Sequence, residues 1–482
     1  MKEKKIEISI VASVLPIMIL IILLAVNVGI YGDDSLNGSN QFILLVGAFI
    51  AAIIGYFHKV SYKEIIDCIS KSVRATTSPI LILLFVGALA GTWLISGIIP
   101  AMIYYGLQIF HPLLFLPACV IICAIISIST GSSWTTSATI GIAMIGIGKA
   151  MDINTGIVAG AIISGAYFGD KLSPLSDTTN LAAAMANSNL FNHIKYMTFT
   201  TVPSIIISLL FFILIGFFQE TSEDINNRFL FNSIEEKFFI NPILFVVPTL
   251  VIVMILKKIP PLIALMTGTI IAALFALIFQ QNIILELTDS KKLTLNSAYR
   301  VIIDAITIET NINSSNQILS ELFKSGGMKG MLGTIWLIIC AMVFGGVMDA
   351  IGALKKISEK LLERAENIFQ LIFSTSASCL TVNLTASDQY LSIVVPGKMF
   401  QKAYQKRNLA PENLSRTLED SGTVTSVLIP WNTCGAYQSS VLGVSVIDYF
   451  IYAIFNWISP FVTLSYAYFG RKIKKLIAKG SI

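Results

Sequence analysis

Charge is what this sequence has least of. Only 13% of its 482 residues are Asp, Glu, Lys or Arg, where a soluble chain of this length carries about a quarter. Catalytic and nucleotide signatures are missing too. There is no GxxxxGKS to power an ATP-driven pump, no HExxH for an intramembrane metalloprotease, and no nucleophile–base motif. These absences argue against an enzyme and leave ion gradients as the energy source, each elementary charge crossing 100 mV being worth about 2.3 kcal/mol. The six cysteines, Cys68, Cys119, Cys123, Cys340, Cys379 and Cys434, form no CxxC pair and fall mostly in apolar stretches. They read as small packing residues rather than disulfides or metal ligands. The three histidines, His58, His111 and His193, fall in predicted loops or interfaces, where a surface role outweighs a proton relay.

What is present is apolar. Hydrophobic residues make up 55% of the chain and the mean hydropathy is +0.78. Runs of near-continuous hydrophobicity recur at 8–30, 80–100, 199–218, 242–256 and 262–279, each about long enough to cross a hydrocarbon core of roughly 30 Å as a helix. The expectation is an all-α polytopic membrane protein with about 10 spans plus two hairpins. The first run is too long for the apolar core of a secretory signal, and no small-residue cleavage site precedes YGDDSLNGSN, so it reads as a retained helix. The formal charge of +5 needs no nucleic-acid partner, because cytoplasmic loops of membrane proteins collect Lys and Arg. By that rule MKEKK at the start, HKVSYKEIIDCISKSVR (58–74), Lys257–Lys258 and RKIKKLIAK at the end are cytoplasmic, as are both termini. Residues 32–40, the acidic loop 220–236 and the polar stretch 281–330 then face outward, and LKKISEKLLERAEN (354–367) lies on the cytoplasmic surface as an amphipathic segment.

Those orientations expose an internal likeness. The 80–100 run goes from inside to outside, and 334–350 from outside to inside, yet Phe85 and Gly87 match Phe344 and Gly346. Ser164-Gly165 followed by SPLSDTT recurs as Ser421-Gly422 followed by IPWNTC, and HIKY (193–196) recurs as VIDY (446–449). Residues 79–197 and 332–450 therefore read as two repeats inserted in opposite senses. Around them, 1–78 reads as scaffold helices, 198–331 as connecting helices with an external loop, and 451–482 as a last helix and tail. Each repeat contains a segment that spans poorly. Residues 369–398 have Lys355, Lys356 and Arg364 before them and Lys398, Lys402, Lys406 and Arg407 after. With both flanks on one side, the segment enters and returns as a re-entrant hairpin, its tip near LTVNLTASD (380–388); STGSSWTTS (129–137) is the matching tip. Non-helical backbone at that depth requires burial in protein or a water-lined cavity, and inverted repeats with broken helices are the architecture of secondary transporters. Gly87 and Gly91 form a GxxxG that predicts a close helix contact, within the chain or between subunits.

Four polar clusters fall at the breaks: SISTGSSWTTSA (127–138), GDKLSPLSDTTN (169–180), TVNLTASDQ (381–389) and DSGTVTSVLIPWNTCG (420–435). Hydroxyls, amides, carboxylates and exposed carbonyls are hard oxygen donors suited to Na⁺. Pro174 and Pro430 each remove a backbone donor and open the helix at the cluster. Asp170 and Asp177 cost about 2.5–3.5 kcal/mol each at mid-bilayer on insertion scales, so each needs a role. In one reading they are cation ligands and proton carriers, a carboxylate in a low-dielectric pocket holding either a proton or Na⁺. In the other, Asp170 is statically compensated by Lys171. Asp388 is a ligand or the cap of a return helix. Asn180, Asn383 and Asn432, and the hydroxyls of Ser132, Ser133, Thr135 and Thr136, are ligands or braces across the breaks. Glu419 and Asp420 are expected near the cytoplasmic mouth of the second broken helix.

GDKLSPLSDTTNLA, the preceding TGSSWTTSATIG, and the span pattern along nearly the whole chain resemble the NhaC family of bacterial sodium/proton antiporters, itself similar to a wider ion-transporter superfamily. The resemblance implies re-entrant inverted repeats, surface arm helices (LKKISEKLLERAEN suits one), homodimers, elevator-type movement, and Na⁺ extrusion against H⁺ entry in the bacterial inner membrane, with no cofactor beyond the transported ions. It carries the ion-binding role to Asp170 and Asp177, then to Ser176, Thr178 and Asn180 around them. The second repeat has Asn432 and Thr433 near the place of the SDTT acid, so its contribution reads as neutral ligands, with Asp388 as its mid-membrane acid. The same resemblance extends to exchangers of organic anions, such as malate for lactate, or of amino acids. No arginine is predicted at either tip to clamp a dicarboxylate, which leaves Lys171 for that role.

Overall fold

The structure is a computed structural model that describes residues 8–31, 35, 38–218, 227–288, 292–314 and 317–476. Most of the predicted 32–40 loop, the start of the acidic loop at 220–226 and the outermost basic residues of both termini lie outside the described residues.

Helices dominate because backbone that has no water to bond must satisfy itself internally. Among the described residues eight helices are long and apolar enough to cross a bilayer, or 9 if Leu230–Lys237 and Pro242–Leu256, bent by 79°, form one span. Their outer faces stay apolar: Ile22, Leu210, Leu214, Phe217, Leu274 and Ile278 are all exposed. In water such a surface is an aggregation liability; against lipid it is a match. The chain is an integral membrane protein.

Two runs of elements share one order. The first begins with Thr77–Ile95 and, after a left-handed Gly97 (φ 76°), Ile98–Ile109. Pro112–Thr130 follows, ends at a left-handed Gly131 (φ 71°), and leads through an extended Ser132 into Ser133–Thr136, a π turn at Ser137–Gly141, and Ile142–Ala150. Thr155–Leu172 and Asp177–Ala186 complete it, with Ser173 and Ser176 extended between them. The second begins with Gly327–Ala350 and, after a left-handed Gly352 (φ 75°), Ala353–Glu363. Ile368–Ala386 ends at a left-handed Ser387 (φ 57°) and returns from Asp388 as Gln389–Lys406. Pro411–Leu418 then passes through a π turn at Glu419–Thr423 and a 3-10 turn at Ser426–Leu428 before Thr433–Leu442. In both runs the residue before the proline of the break is extended, Ser173 before Pro174 and Ile429 before Pro430, as the clash with a proline ring dictates.

Glycines set the closest approaches. A Cβ on Gly169 would lie 2.6 Å from Ser127 Cβ and 2.7 Å from the Ile128 nitrogen, so Thr155–Leu172 seats directly on the backbone of Pro112–Thr130. Ser127 Oγ locks the pair by donating to the Ala166 carbonyl at 2.6 Å. Gly87 and Gly91 abut the carbonyls of Gly327 and Ala305, so the GxxxG pair packs within the chain. Their partners belong to the polar stretch 281–330, which is folded rather than a plain loop. It contains Gln281–Leu287, Leu295–Thr307, Gln317–Leu322 and an antiparallel ribbon of Thr310–Asn311 with Lys324–Ser325. The all-α expectation is corrected to that extent. The ribbon forms because Ile312 and Phe323 both bury their side chains, which brings the Ile312 N–H to the Phe323 carbonyl at 2.9 Å. Ala353–Glu363 is the expected amphipathic helix, burying Ala353, Leu354 and Ile357 with Lys355 and Lys360 exposed.

Candidate functional site

The turn at Gly131–Ser132 meets the first helix break. Ser132 is extended and caps the return helix, its Oγ accepting from the Thr135 N–H (3.2 Å) and the Thr135 hydroxyl (3.1 Å). This presents the Ser133 N–H and Oγ to Asp170 Oδ2, to which they donate at 3.2 and 2.8 Å. Asp170, near the end of Thr155–Leu172, is 7% exposed. Beyond the break, Ser176 caps Asp177–Ala186, accepting from the Thr179 N–H at 3.4 Å and lying 3.1 Å from the Thr178 hydroxyl. Asn180 braces the break itself: its amide donates to the carbonyls of Pro174 (2.9 Å) and Ser176 (2.7 Å). A cavity of about 640 Å³ is lined by Asp170, Asp177, Ser132, Ser133, Thr135, Ser176 and Thr178, with Lys258, Gln389 and Tyr390 also in its wall. Asp177 and Asn180 are exposed. Among the described residues no cluster of His, Cys, Asp and Glu suits a transition metal, whereas carboxylate and hydroxyl oxygens at this density fit a hard monovalent cation.

The second-half candidates form a separate, self-satisfied knot. Asp388 caps Gln389–Lys406, accepting from the Leu391 N–H at 2.8 Å. The Asn383 amide donates to the Gly422 carbonyl (2.7 Å) and the Thr425 hydroxyl (3.1 Å). In turn Asn432 Nδ2 donates to the Asn383 main-chain and side-chain oxygens at 3.1 and 3.2 Å, while Asn432 Oδ1 accepts from the Cys434 N–H at 3.1 Å. The Thr433 N–H reaches the Ser387 carbonyl at 2.9 Å. These bonds clamp the turn at Ser387–Asp388 onto the second break. An aromatic contact joins the halves: Trp134 stacks on Tyr437 at 4.0 Å between ring centroids, and the Tyr437 hydroxyl donates to the Trp134 carbonyl at 3.1 Å.

Lys171 does not compensate Asp170. Adjacent helix residues diverge around the axis, so Asp170 faces Ser133 while Lys171 crosses to the other half and ion-pairs with Asp420, both side chains 0% exposed. Lys171 also donates to Ser459 Oγ at 3.0 Å, and Asp420 accepts from the Thr463 hydroxyl. Glu419 and Asp420 are consequently not at a cytoplasmic mouth; both are 0% exposed. His193 is not in a loop either. It lies in Leu190–Phe218, fully buried, with Nδ1 2.7 Å from Ser415 Oγ. A sequence signal for this layer existed: Ser459 and Thr463 stand four residues apart on one helical face, a hydroxyl stripe awaiting a charged partner.

Buried charge and hydroxyls converging on interrupted helices, in a chain that lies in the bilayer, define a polytopic membrane transporter. The profile of the Na⁺/H⁺ antiporter family matches residues 165–471, and the chain belongs to that family. It is 36% identical to the Na(+)/H(+) antiporter NhaC of Alkalihalophilus pseudofirmus, with 90% of each chain covered. It is 34% identical to the malate-2H(+)/Na(+)-lactate antiporter of Bacillus subtilis, again over 90% of each. The arginine/ornithine antiporter ArcD of Halobacterium salinarum is 31% identical, over 96% of this chain and 92% of that protein.

Proposed function

We propose that the protein is a secondary active transporter exchanging Na⁺ for H⁺ across a bacterial inner membrane, with both termini cytoplasmic. The carrying observation is Asp170, a buried carboxylate fixed by Ser133 across a hairpin turn and lining one cavity with Asp177. The hydroxyls of Ser132, Ser133, Thr135, Ser176 and Thr178 supply further oxygens around a Na⁺ at Asp170. A proton on that carboxylate cancels the charge that holds the cation, so the two ions take turns. Asp177, exposed in the same cavity, meets the incoming cation first. Lys258 in the wall supports reading this cavity as open to the cytoplasmic side by the positive-inside rule, an inward-open conformation.

Inverted repeats with re-entrant hairpins, at 79–197 and 332–450, account for the shared element order. Left-handed Gly131 and Ser387, capping Ser132 and Asp388, capping Ser176 and Asn432, and left-handed Asn187 and Gly443 recur at one constant offset along the chain. On this reading the hairpins and broken helices move as an elevator against 1–78 and 198–331, in a homodimer. Asn383, Asn432 and Thr433 hold the second turn on its break and contribute neutral donors when the site faces outward, with Asp388 as the acid of that half.

One observation supports a second reading, coupled exchange of a small organic anion or amino acid: a volume of about 640 Å³ far exceeds what Na⁺ requires. Against it, Lys171, the cation nearest the site in sequence, is spent on Asp420. Proteoliposomes loaded with a pH-sensitive dye decide between the two. Added Na⁺ is expected to dissipate an imposed proton gradient with no organic solute present. No response to Na⁺, combined with exchange of labelled malate or an amino acid, replaces the first reading with the second.

A further inference from the structure

We propose that Glu419 carries a second proton of the exchange, at a site distinct from the Asp170 cavity; this rests on the Na⁺/H⁺ reading above. Two adjacent acids on the π turn Glu419–Thr423 are both fully buried, yet they are served unequally. Asp420 has Lys171, Ser459 and Thr463. Among the described residues neither Glu419 carboxylate oxygen meets a partner at hydrogen-bonding geometry, and the one hydroxyl that acts on it, Thr423 at the far end of the same turn, is not aligned to bond it. Lys171 supplies one positive charge, and Asp420 already neutralises it. A second ionised carboxylate beside that pair would be buried without counter-charge or solvation, a far costlier state than a neutral acid lacking hydrogen bonds. Glu419 is therefore protonated in this conformation.

The surroundings leave that proton nowhere to go. The charged groups that act on Glu419 are Lys171 and Asp170 from Thr155–Leu172 and Asp420 on its own turn, and the Cys379 thiol approaches from Ile368–Ala386. Of the other titratable groups on the packed elements, Tyr390 lines the Asp170 cavity and several more have partners of their own. Arg416 lies over the Tyr196 ring and donates to the Lys472 carbonyl, Glu412 pairs with Lys474, Tyr404 bonds Thr375, and Asp177 lines the cavity. The last helix offers its hydroxyls, Ser459 and Thr463, to the Lys171–Asp420 pair. Release breaks the Glu419 O–H bond, leaves the electron pair on the carboxylate and passes the proton to water, so it waits for the alternate conformation that hydrates this turn. A π turn, whose widened register is readily reshaped and is common at functional sites, is a fitting place for that change.

The consequence is stoichiometric. Competition at Asp170 and Asp177 exchanges protons for Na⁺, and Glu419 adds one proton per cycle. The test uses the full chain in proteoliposomes, with the H⁺:Na⁺ ratio read from the zero-flux voltage at clamped ion gradients. Glu419→Gln is expected to keep Na⁺-dependent flux while the ratio falls by one proton per cycle, and Glu419→Asp is expected to keep the native ratio. A Glu419→Gln ratio equal to native overturns the proposal. Should Glu419→Gln fail to assemble, infrared spectroscopy of the native protein without Na⁺ decides instead. A neutral-carboxyl band present in the native protein and shifted in Glu419→Asp supports the assignment, and its absence or immobility overturns it. Wild-type protein with no Na⁺-dependent proton flux sinks the exchange reading itself, and the infrared measurement still judges Glu419 separately.

Discussion

Removing Lys171 is the perturbation most directly calibrated by the geometry. Lys171→Met keeps the aliphatic stem, and with it the packing that places Nζ 5.3 Å from the Phe455 ring centroid, but deletes the charge. Asp420 is then left 0% exposed with only the Ser459 and Thr463 hydroxyls. Breaking one side of a buried ion pair costs about 3–5 kcal/mol, because the orphaned charge keeps its desolvation penalty. Asp420→Asn orphans Lys171 in the same way and should cost a similar amount. The double variant removes both charges, and the amide that replaces the acid can still accept from Thr463, so it should recover most of the loss. Tryptophan fluorescence during equilibrium unfolding in mixed micelles supplies the double-mutant cycle. A loss below about 1 kcal/mol in either single variant, or a double variant as unstable as the sum of the singles, refutes the pairing. Transport separates stability from function here. The pair ties the first broken helix to the second, so the double variant should fold and still exchange Na⁺ poorly.

Ser133→Ala removes the 2.8 Å hydroxyl donor to Asp170; a hydrogen bond to a charged group is worth about 1.5–3 kcal/mol, so the KM for Na⁺ in proteoliposomes should rise roughly tenfold or more, with protein abundance unchanged. Asp177→Asn is expected to abolish Na⁺-driven proton flux while inserting normally, and wild-type exchange in that variant removes Asp177 from the site. Asn432→Ala deletes the cap on the Cys434 N–H and strands the Asn383 oxygens, which should cost about 2 kcal/mol or more and show as a lower melting temperature. Gly169→Val drives a side chain into Ser127 Cβ, 2.6 Å from the position of its own Cβ, and should cost about 1–3 kcal/mol through overpacking, read in the same unfolding assay.

The first break was legible because its signals are local. Pro174 interrupts the helix, Ser176 restarts it, Asp177 follows in the first turn, and Asn180 reaches back only to the Pro174 and Ser176 carbonyls. Each interaction spans a few residues, so the string SPLSDTTN nearly contains its own geometry. The deeper layer has no such economy. Lys171 and Asp420 are separated by 249 residues, and the nearest acid in the sequence is Asp170, whose adjacency is misleading because neighbouring helix residues point apart. His193 follows the Asn187–Ser188–Asn189 cluster, which reads as loop, yet the helix has already begun at Leu190 and turns that ring inward to Ser415.

The likeness between the two halves was faint for another physical reason. What recurs is backbone shape, a left-handed residue followed by an extended capping residue, and several side chains satisfy each position. Glycine takes the left-handed place at 131 and serine at 387; serine caps at 132 and aspartate at 388. Ser, Asp and Asn are near-equal as caps, so the residue types drift while the turn persists. The drift has chemical consequences, because one cap is neutral and the other carries a carboxylate. Equal backbone positions in the two halves therefore need not hold equal roles: both residues cap the helix that follows, but Ser132 brings a neutral hydroxyl to the cavity beside Asp170, whereas Asp388 brings a carboxylate to the second turn.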